Sequence, residues 1–250
     1  MILQAALPHT PWADPALSRL PGLRPVEGPW IVVDDAYGAQ MAEKARLMAQ
    51  RRAAVMQVLP GAGDALAELL ETVLRDLPAN FARRGGGVVC PDGREVATDG
   101  APLEVIGQLI QEDVLLLRKQ GAEHVLIAGL LCFPASWTLA EKIGRPLTAI
   151  HGPVPVYDAG LAARVQRLFD LARPGQPVWR ANALAYAEAA LFHPRTEAAP
   201  RVDAVPRFLR SERQTILSLP RSDAAVFAVH TWVVPFERLT EAQRAGCPGL

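Results

Sequence analysis

The chain has 250 residues, half of them hydrophobic, enough to bury a full core as one compact unit. Its 26 Lys and Arg balance 26 Asp and Glu, so no global field draws it to nucleic acid or to an anionic membrane. Three cysteines (Cys90, Cys132, Cys247) without CxxC spacing argue against a disulfide framework or a thiolate zinc site, and the start lacks a basic, apolar leader; the expectation is a protein of the reducing cytoplasm, with no membrane partner.

The first 28 or so residues are rich in proline and lack periodicity, and read as an extended arm or surface wrap. Met41 to about Val58 has a helical pattern. The helix in "GAGDALAELLETVLRDLP" is clearer: Asp64 is placed to cap it, Leu66, Leu69, Leu70, Val73, Leu74 and Leu77 share one face, and Pro78 ends it. "GGVVCPDGREVA" is a hairpin about a Pro-Asp-Gly turn, with strands near residues 88–90 and 94–97. A third helix is predicted from Pro102 to Lys119, stopped by Gly121, with Leu103, Ile106, Leu109, Ile110, Val114 and Leu117 on its buried arc. Asp113 falls inside that arc. It is either a carboxylate satisfied by a neighbouring arginine or by backbone amides, or a group that holds a basic site residue.

A strand in "HVLIAGLLCF" comes next, then a short helix near Thr138 to Ile143, then an amphipathic helix opened by Asp158. Three late segments, 178–191, 208–219 and 224–234, read as strands, the last two joined through "PRSD". Long helices early and strands late, without βαβ alternation, predict an α+β fold with an antiparallel sheet. The tail "ERLTEAQRAGCPGL" is a short helix that frays.

Several familiar sites are excluded. "GAGD" at Gly61 lacks a third glycine and a preceding strand, and neither GxxxxGK[ST] nor GxSxG occurs. The histidines, His9, His124, His151, His193 and His230, show no helical ligand spacing. His151 stands out because "IHGPVP" follows it with two prolines that fix φ and hold their predecessors extended. Such a loop suits a metal or heme ligand, whose nitrogen must stay aimed; the plainer reading is a hydrogen-bonded core histidine.

"RFLRSERQTILSLPRS" is the second unusual stretch. As a strand it puts Arg210, Glu212 and Gln214 on one side and Ser211, Arg213 and Thr215 on the other. It is either a solvated edge strand carrying ion pairs or an anion clamp with Glu212 near the reacting centre. In "VWRAN", Trp179 beside Arg180 either stacks over a flat ligand or fills the core.

Taken in order, "LIQEDVLLL", "AGLLCFPASW", "EKIGRPLTAIHGPVPVY", "VWRAN" and "RSERQTILSLPRS" resemble the heme-dependent oxidative N-demethylase family, in its alpha-subunit-like, heme-binding branch. The likeness runs from Pro21 to Pro235 and divides the chain into an arm (1–20), a family domain (21–235) and a tail (236–250). It implies a PAS-like antiparallel sheet with flanking helices and an extended N-terminal arm, holding heme b. It also implies oxidation of a small secondary methylamine of the dimethylamine type by dioxygen, with release of formaldehyde. Reductase subunits would carry FMN, an iron-sulfur cluster and electrons from NADPH, and tetrahydrofolate would accept the one-carbon unit.

Carried onto this chain, the resemblance makes His151 the axial iron ligand and Lys142, Arg145, Arg210 and Arg213 the cations for the heme propionates. Trp179 and Arg180 would lie against the flat cofactor, with Glu212 and Tyr157 in the amine pocket. The family pattern is broken at Ala135, Ala183 and His230, where serine, tryptophan and arginine are usual, and His230 becomes a rival ligand. Two other readings stand beside this one: a PAS-like module that senses or carries heme without turnover, and a structural subunit of a larger oxidase.

Overall fold

The computed structural model describes residues 1–18, 22–152, 158–200 and 204–250. In chain order the elements are β1 (Arg24–Pro25), α1 (Tyr37–Gln50), α2 (Arg52–Val55), β2 (Met56–Val58), α3 (Gly63–Asp76), β3 (Ala82–Arg84), β4 (Gly87–Val89), β5 (Glu95–Ala97) and α4 (Pro102–Leu109). They continue with β6 (Asp113–Gln120), β7 (Glu123–Leu130), α5 (Leu147–His151), α6 (Ala159–Asp170), β8 (Val178–Tyr186), β9 (Phe208–Leu219), β10 (Ala224–Pro235), a 3-10 turn (Phe236–Arg238) and α7 (Glu241–Arg244).

Among the described residues, seven strands form one antiparallel sheet in the order β1-β8-β9-β10-β6-β7-β2, and β3-β4-β5 form a small second sheet. The mixed helix and antiparallel-sheet class agrees with the sequence reading. No helix of the described residues is long and apolar enough to cross a membrane. The long β9–β10 hairpin is central: Asp223 takes a left-handed φ of 51° in its turn, a conformation aspartate tolerates. Glu68 of α3 accepts from the Arg221 and Ser222 amides of that turn at 2.8 Å each.

Several local expectations are corrected. The third helix stops at Leu109, and residues predicted to continue it form β6, between β7 and β10. Leucine is a good helix former, and "DVLLL" is buried on both faces of a central strand, so it shows none of the alternation that marks a half-exposed one. Asp113 therefore opens a strand, where its Oδ2 accepts from the Phe133 amide at 2.6 Å and its Oδ1 lies 3.4 Å from Nζ of fully buried Lys44. The backbone-amide part of its first reading holds, and the cation beside it is a lysine, not an arginine. The 41–58 helix breaks at Arg51 and ends in β2, pulled straight by pairing with β7.

Asp64 lies inside α3 and makes no cap; Ala62 holds that position. Residues 138–143 form turns, and the short helix appears instead at Leu147–His151. The strand predicted for 178–191 ends at Tyr186. Where a single residue type dictated geometry, agreement is close: Asp158 Oδ1 caps α6 through the Leu161 amide at 2.7 Å, and the Cys90–Arg94 turn closes the β4–β5 hairpin at 2.8 Å.

The sheet has two dissimilar faces. Val114, Leu116, Leu217, Val226 and Ala228 share one, packed against Leu69 of α3 and Leu103 and Ile106 of α4. Leu115, Leu117, Ile216 and Ala225 share the other, against Leu147 of α5 and Phe169 of α6. At the β8–β9 end both faces turn polar, and the N-terminal arm lies along the first of them: Leu7 packs with Leu209, Trp232 and Val234.

Candidate functional site

Strand register sets the site. β8 pairs with β9 so that Arg180 faces Gln214, Asn182 faces Glu212 and Leu184 faces Arg210, all on the sheet face that carries α5. Trp179, Ala181, Ser211 and Arg213 point the opposite way. The alternation predicted for β9 is therefore present, but Trp179 and Arg213 are not brought together with His151, Arg180, Arg210 and Glu212.

On the α5 face, Glu212 is held by one oxygen. Its Oε2 accepts from Asn182 Nδ2 and Gln214 Nε2, both at 3.0 Å, while its own amide donates to Asn182 Oδ1 at 3.0 Å. The other oxygen, Oε1, lies 3.7 Å from Arg210 Nε. Arg210 is 2% exposed and donates to the Leu191 and Phe133 carbonyls, leaving its buried Nε without a hydrogen-bond partner. Its guanidinium also lies over the Tyr186 ring, 5.9 Å from the centroid.

Arg180 Nε is likewise buried without a partner; burial lowers the pKa of this guanidinium, and Glu212 only partly opposes the effect. By register Thr231 of β10 sits opposite Glu212, and its Oγ1 is a third buried, unpartnered polar atom on this face.

His151 is the last residue of α5, not part of an extended loop. Pro146 sits at the N-cap of this short helix, and the ring turns back on it: Nδ1 lies 2.9 Å from the Leu147 carbonyl. A carbonyl only accepts, so Nδ1 carries the hydrogen and Nε2 the lone pair. Burial pushes the imidazole pKa down, against the Leu147 bond, and the cations of Lys142 and Arg180 add to the fall. The ring is neutral at pH 7.

Lys142 Nζ donates to the Ile150 carbonyl and to Glu197 Oε1, both at 2.6 Å, so its charge is already matched and it ties α5 to the chain near residue 197. Arg145, half exposed, lies 3.6 Å from the same Glu197 oxygen. Tyr157, and the proline run in which it sits, lie outside the described residues.

The opposite face holds a different cluster. Arg213 lies over Trp179, 5.0 Å from the ring centroid, with its Nε buried and unpartnered. His9 of the arm packs edge-on against Trp232 at 5.0 Å and meets Ser211 Oγ at 2.9 Å; burial, then Arg213 and His230, lower its pKa to about 4. His230, 1% exposed, has Nε2 3.1 Å from Asp34 Oδ2 and Nδ1 3.2 Å from Glu112 Oε1. With both nitrogens committed to carboxylates it offers no lone pair, which removes it as a rival iron ligand.

Asn182 and Gln214, which aim Glu212, were legible as strand neighbours two residues from Arg180 and Glu212. Asp34 and Glu112 carried no local signal. Two surface clefts, one around Trp30, Asp76 and Pro174 and one around Glu43, Arg51 and Phe192, include none of these residues, so the site is defined by its chemistry.

The family model for "Haem-dependent oxidative N-demethylase, alpha subunit-like" matches residues 23–247. The chain belongs to this family. Both polar clusters fall within the matched span apart from His9, and the family description points to a heme-dependent oxidative function within an assembly of more than one subunit.

Proposed function

We propose that the chain would hold heme b on the α5 face of a PAS-like sheet, with His151 Nε2 as the iron ligand. It would work there as an oxidative N-demethylase of small secondary methylamines of the dimethylamine type. The observation that carries this is one juxtaposition. A neutral imidazole, its tautomer fixed through Nδ1, shares a face with the half-buried guanidinium of Arg180, whose buried Nε has no hydrogen-bond partner among the described residues. A heme would present iron to an imidazole nitrogen and a propionate to the Arg180 guanidinium. Of the other cations, Arg145 is exposed enough to meet a second propionate, and Lys142 would do so by sharing Glu197. Arg210 works through Glu212, and Trp179 and Arg213 support the sheet from behind.

When bound, heme would supply the redox chemistry for an overall oxidation that consumes one dioxygen and two electrons from NADPH and yields water beside the oxidised amine. The chain's own residues do the rest. Asn182 and Gln214 tie down Glu212 Oε2, leaving Oε1 to hold a protonated amine and take its proton, and Tyr157 is a candidate wall of that pocket. The methyl group leaves as formaldehyde, with tetrahydrofolate as acceptor. NADPH, FMN and an iron-sulfur cluster would come through reductase subunits, in keeping with the alpha-subunit-like description. The three buried, unbridged cysteines suit the reducing cytoplasm.

The test is an absorption spectrum of the hemin-reconstituted protein, reduced with and without carbon monoxide, followed by a formaldehyde assay with dimethylamine, dioxygen and an electron donor. A Soret band that moves with carbon monoxide, together with formaldehyde, supports the reading. A colourless protein removes it; heme without formaldehyde leaves the sensor or carrier module.

A further inference from the structure

We propose that His230 is a proton-operated latch that fastens the N-terminal arm and the 30–35 segment to the sheet while it is protonated and releases them when it loses its proton. The proposal is independent of heme.

Its ground is the donor count. Both ring nitrogens face carboxylate oxygens, Asp34 Oδ2 at 3.1 Å and Glu112 Oε1 at 3.2 Å. A carboxylate only accepts. The imidazolium satisfies both; a neutral ring has one N–H, so its bare nitrogen would meet a carboxylate lone pair. Deprotonation would also leave two anions beside each other, Glu112 at 2% and Asp34 at 11% side-chain exposure, and Glu112 Oε2 already lacks a partner.

These carboxylates hold the arm. Asp34 Oδ2 also accepts from Gln4 Nε2 at 2.8 Å, and Asp34 Oδ1 from Gln111 Nε2 at 2.7 Å. Glu112 Oε1 accepts the Val32 amide at 2.7 Å. Gln4 in turn pairs with Val233 of β10 through both its side chain and its backbone. Past Gln4 the arm runs over β9 and β10, where His9 covers Trp232 and meets Ser211. Release would therefore bare Trp179 and Trp232.

The charged and titratable groups that face His230 come from every packed element: Asp34 and His9 from the N-terminal segments, Glu112 from the approach to β6, and Arg213 from the paired position on β9. Lys44 of α1 bonds the Glu112 carbonyl from below. Burial disfavours the imidazolium, but the bonds and charges of Asp34 and Glu112 outweigh it and raise the pKa. A raised pKa means the stabilisation is complete below the unfolded value near 6.5 and is lost as pH rises through the folded value.

The test is hydrogen-exchange mass spectrometry of the full chain from pH 5.5 to 9.5, corrected for intrinsic rates, with tryptophan fluorescence alongside. In the wild type, protection of residues 30–36 should hold from pH 5.5 upward, and that of residues 1–12, which carry His9, from about 6.5 upward; both should then fall by up to about tenfold per pH unit above the His230 transition, the limit for one proton, while α3 stays flat. His230→Arg, charged throughout, should flatten the arm's profile; Asp34→Asn, with one anion fewer, should move the fall to lower pH. Since Asp34→Asn is the milder change, it remains informative if the arginine is not accommodated. Identical profiles in wild type and variants, or an imidazole NMR titration with His230 neutral at pH 6, would overturn the latch.

Discussion

The two faces of β8 and β9 are built from the same residue types and put them to opposite use. On the α5 face, His151 donates Nδ1–H to a backbone carbonyl, beside an arginine with no carboxylate in hydrogen-bonding reach among the described residues. On the arm face, His230 spends both nitrogens on carboxylates and serves as a buried cation. Being histidine and close to arginine does not separate them. What separates them is which atom the ring nitrogens meet: a carbonyl at Nδ1 fixes a neutral tautomer of His151, and carboxylates at both nitrogens fix an imidazolium of His230.

The comparison breaks first on stability. His230→Ala leaves Asp34 and Glu112 buried without their cation and should cost about 3–5 kcal/mol in urea denaturation. His151→Ala removes the Leu147 carbonyl hydrogen bond, worth about 1 kcal/mol, leaves no buried charge unpaired, and should abolish or shift hemin binding. Equal losses would mean that the two histidines are not differently employed.

Arg180→Leu sharpens the contrast. In hemin-free protein it removes a buried donor without a partner, so it should be neutral or stabilising by up to about 1–3 kcal/mol, yet hemin affinity measured by titration should fall. A clear loss of stability with unchanged affinity would show that the guanidinium already has its counterion.

The pH response should be two-sided on the arm face. His9, depressed to about 4, and Asp34, also depressed, give stabilisation that is complete above their unfolded values and lost on acidification; for His9 the loss runs from about 6.5 down to about 4. His230 adds the alkaline limb, so urea midpoints should peak between the two, and His9→Gln should flatten part of the acid side. The smallest effect is expected for Asn182→Ala, about 1 kcal/mol, with amine affinity of the holoprotein reduced because Glu212 Oε2 is no longer tied down.

Much of this contrast was legible from sequence. Period-two alternation alone separates Arg210, Glu212 and Gln214 from Ser211, Arg213 and Thr215, and the register bears this out. What it does not give is the partner across space: His230 meets Asp34 and Glu112 from 196 and 118 residues away. β6 was hidden for a different reason, since an apolar run buried on both faces has no period to read. His151 was singled out for its proline-rich sequel, but the feature that fixes its ring is the Leu147 carbonyl four residues earlier, visible only once α5 is known to form.

The central claim is that His151, not His230, offers iron a nitrogen. Hemin titrations of wild type, His151→Ala and His230→Arg, read at the Soret band, test it most directly. The band should be shared by wild type and His230→Arg and lost or displaced in His151→Ala; a spectrum indifferent to His151 but changed by His230→Arg would contradict the account.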